Sequence, residues 1–163
     1  MDSNHYKQME SPLGVLTLVA SEKSLTGVFW GNDDDRRVWL SAGLADKSHP
    51  VLVDAERQLN EYFHGTRKTF DLKLELEGTE FQNKVWRAVL KIPFGETRTY
   101  GQIAKQVGNA RAMRAVGSAN GKNSLCIVVP CHRVVGAGGE ATGAGIGLEC
   151  RRFLLALESD YKT

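Results

Sequence analysis

Two adjacent residues, Cys131 and His132, are the strongest candidates for covalent chemistry in this 163-residue chain. A thiol is a weak nucleophile until it loses its proton, and a neighbouring imidazole or a local positive field makes that loss possible at neutral pH. Adjacent residues on an extended strand point to opposite faces, so adjacency alone proves nothing. Pro130 changes the geometry, because a proline ends a hydrogen-bonded ladder and turns the chain, which lets both side chains line one cavity. The same residues also fit an inert buried thiol at the end of a core strand over residues 125–129.

Other groupings carry less. Cys126, Cys131, His132 and Cys150 invite a zinc reading, yet they lack the paired Cys-x-x-Cys knuckle of structural zinc sites, so no metal is expected. Gly136-x-Gly138-x-x-Ala141 matches the loose dinucleotide fingerprint, which must open a helix inside a β-α-β unit. Six glycines fall within residues 136–147, and that run is expected as loop, which sets the fingerprint aside. His5, His49 and His64 have no acidic or cysteine neighbours at useful spacing and are expected on the surface.

The elements that must position Cys131 follow from hydrophobic spacing. Thr79 with Gln82 is a capping-box pattern. Phe81, Val85, Ala88, Val89 and Ile92 follow at helical spacing, and Pro93 ends the run. A second capping box, Thr99 with Gln102, opens a short helix over residues 100–107. Gly108 and Asn109 make a turn, and residues 110–119 form the next helix. Helix, glycine-containing turn, helix is the outline of a helix-turn-helix, and an ordinary helical hairpin shares it. Arg111 and Arg114 at the start of the second helix favour DNA, because a recognition helix contacts DNA mainly through its N-terminal residues. Residues 148–158 make a last helix with Cys150, Phe153, Leu154 and Leu157 on its apolar face.

In the first half, residues 14–20 and 25–30 are β-branched and apolar, and residues 21–24 make a hairpin-length turn between them. Residues 32–37 form a charged loop. Residues 50–64 read as a helix: Pro50 suits its first position, Leu52, Ala55, Leu59, Tyr62 and Phe63 form an apolar stripe, and Gly65 can cap its end. Phe70, Leu72, Leu74 and Leu76 alternate with Asp71, Lys73 and Glu75, the period of a half-buried strand.

Hydrophobic residues at 42% and charged residues at 25% are ordinary globular values, which argues against wholesale disorder. No apolar run approaches the ~20 residues needed to span a bilayer. Three cysteines are too few, and odd in number, for a disulfide framework. With a polar stretch from Met1 to Glu10 in place of a secretory signal, a reducing intracellular compartment is expected, cytoplasmic or nuclear. The net charge of +2 conceals a split after Gly78: residues 1–78 carry 9 basic and 13 acidic side chains, whereas residues 79–163 carry 12 and 6. A basic half beside an acidic half is a hint of phosphate contact. The boundary expected at Glu77 and Gly78 separates a scaffold domain, residues 1–78, from a DNA-facing domain, residues 79–163.

These residues resemble a known family. Pro130-Cys131-His132-Arg133-Val134 with Val135 looks like the active-site signature of the O6-alkylguanine-DNA alkyltransferases, the methylated-DNA–protein-cysteine methyltransferases. The likeness takes in Phe81-Gln82-x-x-Val85-Trp86, Ile92-Pro93-Phe94-Gly95-Glu96 and Thr99-Tyr100-Gly101-Gln102-Ile103-Ala104. It continues through Arg114-Ala115-Val116-Gly117 with Ala119, then Asn123, Thr142-Gly143, Leu154-Leu155 and Glu158. These motifs stand in family order across nearly all of residues 79–163. The resemblance implies an α+β chain: a ribonuclease-H-like β/α domain followed by a mainly helical winged helix-turn-helix domain.

The resemblance also implies roles. Cys131 would accept the alkyl group of an O6-alkylguanine, such as O6-methylguanine, in a single-turnover suicide transfer that needs no cofactor. His132 would act as general base through a water, Glu158 would hold its imidazole, and Asn123 would brace the turn before the active-site strand. Tyr100 would hydrogen-bond the guanine and supply a proton to the leaving group. Arg114 would fill the stack in place of the flipped nucleotide, with Arg111, Ala115 and Ser118 beside it on the DNA. Pro130, Val134, Ala144 and Gly145 would line the substrate pocket. The implied partner is double-stranded DNA carrying the lesion, bound by a monomer with no membrane involved.

The sequence departs from the family in places. Ala144 stands where the family commonly places Tyr, Ile146 where Gly is usual, and Ala110 where Pro is common, which leaves the alkyl size open. The N-terminal half lacks the Cys/His set that binds zinc in some members. Competing readings are an alkyltransferase-like protein that binds lesions without transfer, a helix-turn-helix regulator with an inert cysteine, and a Cys-His hydrolase. The first lacks an acceptor cysteine in the family, the second gives Tyr100, Asn123, His132 and Glu158 no purpose, and the third needs an oxyanion hole that no motif specifies.

Overall fold

The computed structural model describes residues 4–30, 43–143 and 145–162. The charged loop expected at residues 32–37 and the pocket residue Ala144 lie outside them. By its internal contacts the chain divides into two compact units, Met1–Leu76 and Glu77–Thr163. No helix among the described residues is long and apolar enough to cross a membrane.

In the first unit, β1 (His5–Ser11), β2 (Gly14–Ala20), β3 (Leu25–Trp30) and β4 (Leu44–Ala45) form one sheet in the order β3-β2-β1-β4. β1, β2 and β3 pair antiparallel, and β4 runs parallel to β1. The expected strands at residues 14–20 and 25–30 are present, but β1 is an addition. Its large apolar side chains are few, and its pairing is supplied by the apolar β2. Side chains alternate across the sheet. Val19 and Phe29 cluster with Tyr6 on one face, so Leu16 and Leu18 fall on the other, all but Tyr6 being buried.

Helix α1 (Pro50–Phe63) packs on β1, β2 and β3 through Leu52, Ala55, Leu59 and Tyr62. His49 is buried, not on the surface as expected, because its Nδ1 caps the helix by accepting the Val51 N–H at 3.3 Å. Gly65 takes φ +78°, a conformation that favours glycine. There its N–H reaches the Tyr62 carbonyl while the Thr66 N–H reaches that of Glu61, closing the helix as a Schellman turn.

Residues 70–76 are not the expected strand. Their burial alternates, but their ladder reduces to one bridge, Leu25 to Leu74. The physical reason is Gln58. Its amide takes both backbone groups of Asp71, donating to the carbonyl at 2.9 Å and accepting from the N–H at 2.8 Å. A side chain thus occupies hydrogen-bonding sites that a neighbouring strand would need.

The second unit contains α2 (Glu80–Leu90), α3 (Tyr100–Gln106), α4 (Met113–Gly121) and α5 (Gly145–Asp160). Both expected capping boxes form, at Thr79–Gln82 and Thr99–Gln102. Helices α2, α3 and α4 pack on one another, and the buried Trp86 indole donates to the Ala119 carbonyl at 2.8 Å, tying α2 to α4. Two short strands, β5 (Arg98–Thr99) and β6 (Val134–Val135), pair in parallel. That pairing sets Tyr100, the first residue of α3, beside the segment that follows Cys131.

Three expectations shift here. Helix α4 begins at Met113, not residue 110, because the Asn109 side chain accepts the Arg111 N–H and its carbonyl accepts the Ala112 N–H, holding a turn. Residues 125–129 are not a strand: the Val129 N–H bonds back to the Leu125 carbonyl at 2.8 Å, folding the run into a tight turn. Helix α5 starts at Gly145, so the glycine run becomes helical before residue 147 despite its composition.

Candidate active site

The turn over residues 123–129 presents Pro130 and Cys131, and it is built around Asn123. This buried side chain accepts the Leu125 N–H at 2.8 Å and donates to the Val129 carbonyl at 3.0 Å. Inside the clasp Ile127 takes φ +74°. A β-branched residue in the left-handed region costs on the order of 1–3 kcal/mol, which the surrounding contacts must offset. Pro130 then turns the chain into a single 3-10 turn, Cys131–Arg133, closed by the Arg133 N–H on the Pro130 carbonyl. A helical turn does not alternate faces as a strand does. Cys131, His132 and Arg133 are therefore all buried, and the Asn120 amide holds the Cys131 carbonyl at 3.2 Å.

Glu158, on the buried face of α5, receives this turn. The His132 Nε2 donates to its Oε2 at 2.6 Å, and Arg133 grips both oxygens, Nε at 2.8 Å and Nη2 at 2.9 Å. The Gly95 N–H adds a bond at 3.1 Å, and the Arg133 Nη1 donates to the Ile92 carbonyl at 2.7 Å. Burial alone would push the Glu158 carboxyl up. The hydrogen bonds and charges of His132 and Arg133 outweigh it and hold the group well below the usual carboxylate range. With Nε2 committed to Glu158, His132 keeps Nδ1 as its remaining basic nitrogen; that atom is buried with no hydrogen-bond partner among the described residues.

The Cys131 thiol is pulled down to about 5. A hydrogen bond from the Cys126 side chain is the main cause. Burial opposes it, and the charges of Arg151 and His132 and the Asn123 side chain add to it. The third cysteine, Cys150, is buried on α5, and burial with the neighbouring Glu149 charge pushes its thiol up. Among the described residues no group of three or more His, Cys, Asp or Glu side chains is placed to hold a metal.

Of the other expected site residues, Pro130 and Val134 are buried beside Cys131, and Gly145 is the first residue of α5. Tyr100 is not hydrogen-bonded into the Cys131–His132–Glu158 group among the described residues; its hydroxyl meets Thr142 Oγ1 at 2.5 Å. Tyr100 and Arg114 instead share a cleft of about 400 Å³ with Gly101, Met113 and Gly117. Arg114, Ala115 and Ser118 lie exposed on α4, and Arg111 is exposed in the turn before it. Sequence reading gives no role to Arg133, Asn120, Thr142 or Arg151. Arg133 carries a signal, since a charged residue beside a nucleophile in an apolar stretch needs a buried partner.

The model of the 6-O-methylguanine DNA methyltransferase DNA-binding domain matches residues 80–160, and that of its ribonuclease-like domain matches residues 4–76. The methylated-DNA–protein-cysteine methyltransferase of Methanosarcina acetivorans is 46% identical over 154 residues, covering 94% of this chain and 97% of its own. The constitutive enzyme of the same name from Bacillus subtilis is 45% identical over 161 residues, covering 95% of each chain. The crystal structure of Mycobacterium tuberculosis OGT in complex with DNA superposes with a TM-score of 0.87 at 45% identity, over 96% of this chain and 94% of that one.

Proposed function

The chain belongs to the 6-O-methylguanine DNA methyltransferase family, and on that premise we propose that it repairs DNA by direct reversal, moving the alkyl group of an O6-alkylguanine onto its own Cys131. The observation that carries the assignment of Cys131 is the buried run of thiol, imidazole and carboxylate, with the His132–Glu158 contact at 2.6 Å.

Glu158 fixes the imidazole through Nε2, and Nδ1 holds, through an intervening water, the proton that Cys131 has given up, so that the sulfur stands as a thiolate before the lesion arrives. The thiolate sulfur then attacks the alkyl carbon in line with the bond to O6. The S–C bond forms, the C–O6 bond breaks, and the electron pair passes into the guanine, which gains a proton from Tyr100. The alkyl carbon of a stacked base is out of reach, so the nucleotide must leave the helix, and Arg114 on the exposed face of α4 fills its place. Arg111, Ala115 and Ser118 lie against the same DNA. A thioether is a poor leaving group, so the protein is consumed and acts once, as a monomer, with no cofactor.

The test is made on the DNA. A duplex carrying O6-methylguanine is incubated with the protein in excess, then in deficit, and its bases are analysed. Restored guanine equal in amount to the limiting partner is expected. A lesion that is bound but intact would instead make this a binding protein, and restored guanine exceeding the protein would show turnover.

A further inference from the structure

We propose that Arg151 and Thr142 form a relay behind Tyr100 that turns its hydroxyl into the proton donor for the departing guanine, a proposal that rests on the transfer reading above. Arg151 Nη1 donates to the Thr142 carbonyl at 3.1 Å and to Thr142 Oγ1 at 3.0 Å. A guanidinium has donors only, so the direction of both bonds is settled. The Tyr100 hydroxyl meets the same Oγ1 at 2.5 Å.

A threonine hydroxyl offers one proton and two lone pairs, and Arg151 has taken one of the pairs. Thr142 then either donates to Tyr100 or accepts from it. A cation bonded to the oxygen makes that hydroxyl a better donor and a poorer acceptor. The donors therefore run from Arg151 to Thr142 to Tyr100, and the Tyr100 proton is left for a ligand. These contacts are part-buried, so solvent screens them less than it would on the open surface.

A second observation points the same way. The positive charge of Arg151 also reaches Cys131 and helps to hold its thiol down. One guanidinium is thus tied to both ends of the transfer: by its charge to the sulfur, and through the Thr142 hydroxyl to Tyr100. In the balanced step the S–C bond forms, the C–O6 bond breaks, and the Tyr100 proton goes to the guanine. The phenolate oxygen keeps the Thr142 hydrogen bond and later regains a proton from solvent. Neither Thr142 nor Arg151 touches the reacting atoms in this scheme; both are positioning residues.

The test compares two reactions of the full chain: single-turnover methyl transfer from O6-methylguanine in a duplex, and alkylation of Cys131 by iodoacetamide, whose iodide leaves without a proton. Thr142→Val should slow methyl transfer about tenfold or more and leave the iodoacetamide rate within about twofold. Tyr100→Phe combined with Thr142→Val should be no slower than Tyr100→Phe alone. Arg151→Ala should slow methyl transfer and move the acid-side fall of the iodoacetamide rate to higher pH, because one cause that holds the thiol down is gone. Thr142→Ser keeps the hydroxyl and should keep the methyl rate. Equal slowing of both reactions by Thr142→Val, multiplicative losses in the double variant, or a Thr142→Ser as slow as Thr142→Val would overturn the relay. Methyl transfer at an unchanged rate in Thr142→Val would overturn the relay alone, and no transfer by the unaltered protein would overturn the repair reading and the relay with it.

Discussion

In the N-terminal unit Arg57 reaches Asp54 and Glu61 along α1 with 56% of its side chain exposed, whereas in the C-terminal unit Arg133 grips Glu158 with 8% exposed. The first arrangement is a solvated helix surface, where such pairs contribute little. The second is costly to assemble, because two charges leave water, and stability alone is weak grounds for it. Buried polar groups differ in part between the units, although Asn120 and Asn123 of the second unit also bond backbone groups. In the first unit Gln58 and His49 satisfy backbone groups. In the second unit His132, Arg133 and Glu158 bond to one another, next to a thiol held toward thiolate. Strongly perturbed groups that satisfy each other in this way cluster at sites of chemistry, which supports the reactive role proposed for the C-terminal unit.

Glu158→Gln should strain this contrast most. It removes the carboxylate that orients His132 and strands the Arg133 charge. Single-turnover transfer is expected to fall about 10²- to 10⁴-fold, with a loss of about 3–5 kcal/mol in denaturant unfolding. Glu158 is depressed, so its contribution to stability is full above the ordinary carboxylate value and fades as pH falls through the lower folded value. The variant should accordingly lose part of the acid-side slope of the unaltered protein. An unchanged transfer rate would make the cluster merely structural.

The thiol sharpens the contrast on the pH axis. Cys131 is deprotonated above a value of about 5, so its iodoacetamide rate should stay level from neutral pH down to that region and fall below it. A rate that instead climbs toward the ordinary thiol value of 9.0 would show an unactivated cysteine.

A smaller effect is expected at the exposed face of α4. Arg114→Ala should slow transfer from duplex DNA roughly ten- to a hundredfold while sparing free O6-benzylguanine, because only the duplex demands base extrusion. Equal losses on the two substrates would remove Arg114 from that role. The smallest catalytic effect belongs to the N-terminal unit. Gln58→Ala leaves the Asp71 backbone groups unpaired, which should cost about 1–3 kcal/mol of stability with no change in the transfer rate of the folded protein. A loss of rate there would break the division between scaffold and reactive unit.

Much of the fold is legible in the chain because its signals are local. The two capping boxes, the stripe of α1 and the hairpin of β2 and β3 each depend on residues within a few positions of one another. What escapes is set at a distance. Residues 70–76 alternate like a strand, yet Gln58, 13 positions away from Asp71, takes the hydrogen bonds. β5 and β6 span two residues each and exist only because they pair with each other. The same holds for the candidate site. Cys131 and His132 are conspicuous as neighbours, and Glu158 enters through the resemblance alone, since nothing local marks a carboxylate 26 positions from His132. In the relay, Tyr100 and Thr142 stand 42 positions apart and have no pattern to read.

The most direct test of Cys131 as the acceptor is the location of the methyl group after reaction. The full chain is mixed with excess duplex carrying O6-methylguanine, digested and mapped by tandem mass spectrometry. One methyl group per chain, on Cys131, with none acquired by Cys131→Ala, is the predicted result. Methylation of Cys126 or Cys150 in its place, or a restored duplex beside an unmodified protein, would contradict it.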